Sequence, residues 1–168
     1  MTAKLSTGMR NHVVVTGSYR SAFHGACRLS IYGGAEVATA DADATGASLL
    51  CVITGPSAAG LEFEATATDG VLAKKASQVW SGVNLASGTA TWFRLEETGD
   101  GRGASTVLKR IQGNIGIAIG DMVMIQNVLV SGNTKAIDGG GITVIQCHEL
   151  GLPFGKTEKQ GEHQATQQ

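Results

Sequence analysis

Cys27, Cys51 and Cys147, with His12, His24, His148 and His163, are the side chains of this chain best suited to nucleophilic or metal chemistry. A nucleophile needs a base and an orienting group beside it. Zinc is commonly signalled by Cys-x2-Cys or His-x3-His spacing. These residues are dispersed and show neither pattern. Cys147 and His148 are adjacent, but neighbours on a strand point to opposite faces. Each cysteine lies in or beside an apolar run, where a free thiol reads as a small buried hydrophobe. Two carboxylate pairs, Glu62 with Glu64 and Glu96 with Glu97, could serve as a glycosidase dyad. Solvated strand edges account for both, so no catalytic residue is assigned and a non-enzymatic role is expected.

Three loops invite ligand readings. Gly151-Leu-Pro-Phe-Gly-Lys-Thr157 follows a strand-like run, but its Gly-x3-Gly-Lys-Thr spacing is one residue short of a phosphate-binding loop. Asp41-x-Asp43-x-Thr45-Gly46 opens like a calcium loop, yet Val52 stands where the bidentate Glu belongs. It reads as a polar surface loop. Gly99-Asp-Gly-Arg-Gly103 lacks a dinucleotide fingerprint and reads as a mobile hairpin loop. Neither cofactor nor metal is expected. The remaining candidates are Trp80, Trp92, Phe93 and Arg94, as packing or interface residues. Trp80 and Trp92 could stack on a sugar or fill a partner's pocket, but core or inter-subunit packing is preferred.

These residues sit in a chain of short strands. Charged residues make up 16% of the 168, below the usual quarter or so, and there are 24 glycines. Net charge is −1 with basic residues scattered, so no nucleic-acid or membrane partner is expected. No apolar run is long enough to span a bilayer, and no secretory leader is visible. Residues 5–23 are read as a short helix capped by Ser6 or Thr7, although Val13-Val14-Val15 and Gly17 disfavour it. Strands are expected at 27–32, 49–54, 61–66, 71–76, 78–83, 88–97, 106–111, 115–119, 122–130 and 136–146. Turns are read at Gly33-Gly34, Asp69-Gly70, Gly113-Asn114, Gly120-Asp121, Gly132-Asn133 and 138–141. In 88–97, Phe93 and Leu95 face one way while Trp92 and Arg94 face the other.

The expected fold is all-β and mainly antiparallel, a β-sandwich or jelly-roll-like body with a short N-terminal helix and a polar C-terminal tail. Its parts would be an N-terminal arm or helix (1–24), the β domain (25–150) and the tail (151–168). Residues 155–168 hold no large apolar side chain and cannot bury enough surface to order alone.

Several segments in order, Leu5-Ser-Thr-Gly-Met-Arg-Asn11, Arg28-Leu-Ser-Ile-Tyr-Gly33, Ala38-Thr-Ala-Asp-Ala42, Leu49-Leu-Cys-Val-Ile53, Gly88-Thr-Ala-Thr-Trp-Phe-Arg-Leu95, Arg110-Ile-Gln-Gly113 and Gly120-Asp-Met122, resemble a group of small virion structural proteins of tailed bacteriophages. The resemblance covers roughly residues 5–146 and departs where the chain runs on from His148 to Gln168. It implies a β-sandwich head decoration or cement protein, localised to the virion. The expected partners are the major capsid protein or other virion proteins, together with further copies of the chain as a homo-oligomer. It carries over no catalytic residues. The alternative is a tail, fibre or baseplate-associated module contacting a host-surface glycan or another virion protein.

Overall fold

The computed structural model describes residues 3–68 and 70–137. Among them are nine strands: β1 (Lys4–Leu5), β2 (Cys27–Gly33), β3 (Ser48–Ile53), β4 (Trp80–Val83), β5 (Gly88–Glu97), β6 (Arg110–Gly116), β7 (Met122–Val123), β8 (Val128–Leu129) and β9 (Thr134–Ile137). The fold is mostly antiparallel β, as the alternation predicts. The main sheet has the order β1-β6-β5-β2-β3, with β8 antiparallel to the start of β5 and β7 parallel to the end of β6. A second ribbon pairs β4 with β9, and bridges at Cys51–Asn84 and Thr54–Ser81 fasten it to the free edge of β3. Gly82 permits that approach: a Cβ there would lie 1.9 Å from the Val52 carbonyl oxygen.

Strand alternation divides the main sheet into two unlike faces. Leu29, Ile31, Phe93, Leu95 and Ile111 point into the principal core, with Met9, Phe23, Phe63 and Trp80. The opposite face carries Arg28, Ser30, Tyr32, Trp92, Arg94, Glu96, Arg110 and Gln112 in register across β2, β5 and β6.

The N-terminal segment belongs to this body. Two short helices, α1 (Thr7–Asn11) and α2 (Tyr19–Phe23), flank one wide π-type turn at His12–Thr16. The single helix expected over 5–23 breaks at Gly17, where Ser18 and Ser21 form a capping box for α2. Ser6 is the cap of α1 and also its fastening. Its Oγ accepts from the Met9 and Arg110 amides at 3.0 and 2.9 Å and donates to the Leu108 carbonyl at 2.8 Å.

Other departures have local causes. Residues 61–66 and 71–76 pair only through bridges at Phe63–Lys74 and Thr68–Val71, because regular pairing lapses across Ala65–Ala67. Gly70 takes a positive φ at the expected turn, while Asp69 lies outside the described residues. Gly113-Asn114 is mid-strand, so 106–111 and 115–119 give way to the single strand β6. The glycine is needed there because a Cβ would meet the Asp121 Cβ at 2.7 Å. The strand expected at 122–130 divides because its inward phase, set by Met122 and Met124, shifts before Leu129. Of 136–146, only the part to Ile137 falls within the described residues.

Ser6→Ala would leave two buried amides and one carbonyl without their partner. It should cost about 2 kcal/mol in urea unfolding, while Thr7→Ala, outside the cap position, should cost less.

Candidate functional site: a charged layer inside and an apolar surface outside

The second face of the main sheet is buried under the strap formed by residues 34–47 and the loop 98–105. The strap is rich in alanine, so its backbone can lie close to the strands. Its carbonyls find their donors in the sheet's side chains. Val37 accepts from Gln112 Nε2 at 2.8 Å, Ala40 from Arg110 Nη1 at 3.2 Å and Ala42 from Arg94 Nη2 at 3.3 Å. Glu36 binds both Lys4 and Gln112. Asp41 accepts from the Thr7 amide and hydroxyl, tying the strap to α1. Asp43 folds locally onto Thr45, as a turn does. The calcium-like Asp41–Gly46 stretch thus works as a strap. No metal-binding group of side chains occurs among the described residues.

At the centre is a bidentate ion pair. Arg110 Nε and Nη2 reach the two Asp100 oxygens at 2.5 and 2.7 Å, with both side chains shut off from solvent. Arg110 also donates to the Gly103 carbonyl, and Arg28 to that of Asp100. The loop read as mobile is therefore anchored, with Asp100 only 2% exposed. Burial works against Asp100 ionising, but hydrogen bonds from Arg110 and the Arg102 amide, with the Arg110 charge, outweigh it. Its carboxyl is held below the ordinary value of 3.8.

Glu96 is the opposite case and corrects the reading of a solvated Glu96-Glu97 edge. It is fully buried, and its Oε1 accepts from Ser30 Oγ at 2.7 Å and Arg28 Nε at 3.0 Å. Burial raises its carboxyl above 4.5 despite these partners. Glu97 instead pairs with Lys109. Two carboxyls pushed in opposite directions resemble an acid–base pair. Here both side chains are closed off from solvent and held by arginines, Asp100 by Arg110 and Glu96 by Arg28, so that they tie the loop 98–105 to the sheet. Glu62 and Glu64 are likewise engaged, by Lys75 and the Ala76 amide.

Trp92 stacks on Tyr32 at 4.0 Å between centroids, and Arg94 lies 5.8 Å from its ring. Trp80 packs edge-on to Phe63 across the other side and donates to Gln78. Trp80, Trp92 and Arg94 are 0% exposed and Phe93 is 6%. All four pack within the chain, on two different faces. None offers the exposed surface that an interface or a sugar-stacking platform needs.

That exposure lies elsewhere, in residues the sequence reading did not single out. On the paired segments 83–89 and 127–134, Asn84 and Leu129 point inward while Val83, Leu85, Val128 and Val130 point out, each more than half exposed. The neighbouring 117–125 stretch adds Ile117, Ile119, Val123 and Ile125, the last 97% exposed. Asp121 is the one charged residue in 111–134, and it is bound to the Asn114 amide. The alternation of 122–130 was the available signal, but it does not say which phase faces in.

His12 meets Ser21, and His24 Nδ1 accepts the Phe63 amide. Burial pushes Cys27 up to about 12 and Cys51 up to about 11. Cys147, His148, His163 and the Gly151–Thr157 loop lie outside the described residues. Comparison with protein-family models, curated proteins and solved structures gave no match.

Asp100→Asn leaves Arg110 buried without its charge partner and should cost about 3–5 kcal/mol near neutral pH. Because the folded carboxyl is depressed, that loss should shrink as pH falls below 3.8. Glu96 has the reverse sign: its folded-state preference is for the proton, so its contribution is greatest below 4.5 and is lost as pH rises through the raised value. Glu96→Gln should therefore gain on the parent protein from pH 4 to pH 8 in denaturant titrations. Separately, Cys27 and Cys51 should react with a thiol reagent at pH 8 about a hundredfold more slowly in native protein than in denaturant.

Proposed function

We propose that this chain is a non-catalytic structural subunit that associates with further copies of itself and with other virion proteins, as a decoration or cement protein on the head of a tailed phage. The observation that carries self-association is the outward apolar set at Val83, Leu85, Ile117, Ile119, Val123, Ile125, Val128 and Val130. Isolated exposed apolar side chains are ordinary, but eight on adjoining segments are what an interface provides. A second copy suits this surface because it carries almost no charge, so like meets like without repulsion. Burial of such a surface contributes roughly 25 cal/mol per Å² before the costs of association.

The placement on a phage head rests on the resemblance of the ordered segments between residues 5 and 146. A sandwich-like or jelly-roll body belongs to the same reading, with the main sheet as one layer and the β4–β9 ribbon in the other. Repetition over a lattice would turn weak contacts into a persistent shell through multivalency. The glycan-binding alternative relied on an outward tryptophan, and both tryptophans are buried.

Sedimentation of the full chain should show a concentration-dependent oligomer that Ile119→Glu with Ile125→Glu dissociates at least tenfold, leaving thermal unfolding of the monomer little changed. A parent protein that is monomeric at 100 μM would refute self-association. Cryo-microscopy of particles carrying the chain tests placement: hundreds of copies on the head support it, and a few at the tail refute it.

A further inference from the structure

Four polar atoms on the strapped face of the sheet are closed off from solvent and have no hydrogen-bond partner among the described residues: Tyr32 Oη, Trp92 Nε1, Arg94 Nη1 and Glu96 Oε2. The strand register gathers them. Trp92, Arg94 and Glu96 alternate along β5 and so share one face, while Tyr32, Ser30 and Arg28 stand opposite them on β2. The Tyr32 phenol lies beside the Ser30 hydroxyl and within the fields of both Glu96 and Arg94, and burial is the main influence on it. Ser30, between them, donates its single proton to Glu96 Oε1 and leaves Oε2 unserved. Arg94 is served by the Gln112 amide oxygen through Nε and Nη2 at 3.1 and 2.6 Å and by the Ala42 carbonyl, with no carboxylate among its partners.

Orphaned groups of this kind are costly when buried, at roughly 1–3 kcal/mol each and more for charged groups. Four gathered on one face call for a bound partner. Their chemistry restricts that partner. Arg94 Nη1 and Trp92 Nε1 can only donate, an ionised Glu96 Oε2 can only accept, and Tyr32 Oη can do both. An anion would satisfy the donors but face the Glu96 carboxylate. A cation would satisfy Glu96 but face the Arg94 guanidinium. A small neutral molecule that both accepts and donates satisfies all of them.

We infer that the space between β5 and the strap is a built internal-water site, in which ordered water accepts from Arg94 Nη1 and donates to Glu96 Oε2, with Tyr32 Oη and Trp92 Nε1 as its further partners. Ser30 and the alanines of the strap supply the small side chains such a site needs. Two to four polar partners are what buried water ordinarily has. The site links β5 electrically to its own neighbours without a direct Arg94–Glu96 contact. It also lets Glu96 keep a solvated oxygen beneath a closed surface.

A crystal structure of the full chain at about 1.5 Å, with a parallel bromide soak, tests this. The expected result is compact density about 2.7–3.2 Å from both Arg94 Nη1 and Glu96 Oε2 that refines as water and gives no anomalous signal after the soak. Arg94 and Glu96 joined directly with no density between them would overturn the inference. So would an anomalous bromide peak at the same position, which would make the site an anion site.

Discussion

Everything on the strapped side of the sheet depends on side-chain donors meeting backbone carbonyls. The strap at 34–47 has no strand partner, so its carbonyls must be satisfied by other means or remain exposed to water. Gln112, Arg110 and Arg94 supply three of those hydrogen bonds from adjoining strands. Arg110 can enter a buried layer only because Asp100 neutralises it bidentately. Asp100 in turn stays charged because Arg110 and the Arg102 amide hold it. Loop, strap and sheet are thus one electrostatic unit, and removing any member leaves another buried and unpaired.

This arrangement inverts the usual distribution of residue types. Few side chains in the chain are charged, and several of those, Arg94, Glu96, Asp100 and Arg110, lie inside. Large aliphatic side chains such as Ile119 and Ile125 lie outside. A buried charged layer adds little net stability compared with a well-packed apolar one, but it penalises any strap position that misaligns its donors. The outer surface, relieved of charge, can meet another protein surface with little desolvation of ions.

How much of this is legible in the sequence follows from how local each cause is. Strands β2, β3 and β5 are bounded by glycine or proline; β3 is a short apolar run, and in β5 the separation of Phe93 and Leu95 from Trp92 and Arg94 is read directly from period two. Gly113-Asn114 misleads because the reason for glycine is a non-adjacent contact with Asp121. Arg94, Glu96, Arg110 and Gln112 look like a wet face because alternation says only that they share a side. What covers them is a segment more than fifty residues away. The one hint is a run of alanines at 38, 40, 42 and 44 facing no strand of its own. The phase of 122–130 fails for a similar reason: two apolar phases compete, and burial decides between them.

The strand order carries a consequence for biosynthesis. β1 lies at the outer edge of the sheet against β6, so residues 4 and 5 find their partners only at 112 and 111. Ser6 likewise waits for Arg110. A chain leaving the ribosome at about 5–20 residues per second holds its start unpaired until that strand has emerged. Strands β2 and β3, by contrast, are consecutive in the chain and paired in the sheet, and can zip early. Closure of the sheet therefore waits for residues 110–112, and a nascent chain stalled before residue 110 would present an open β edge to its neighbours on the same message.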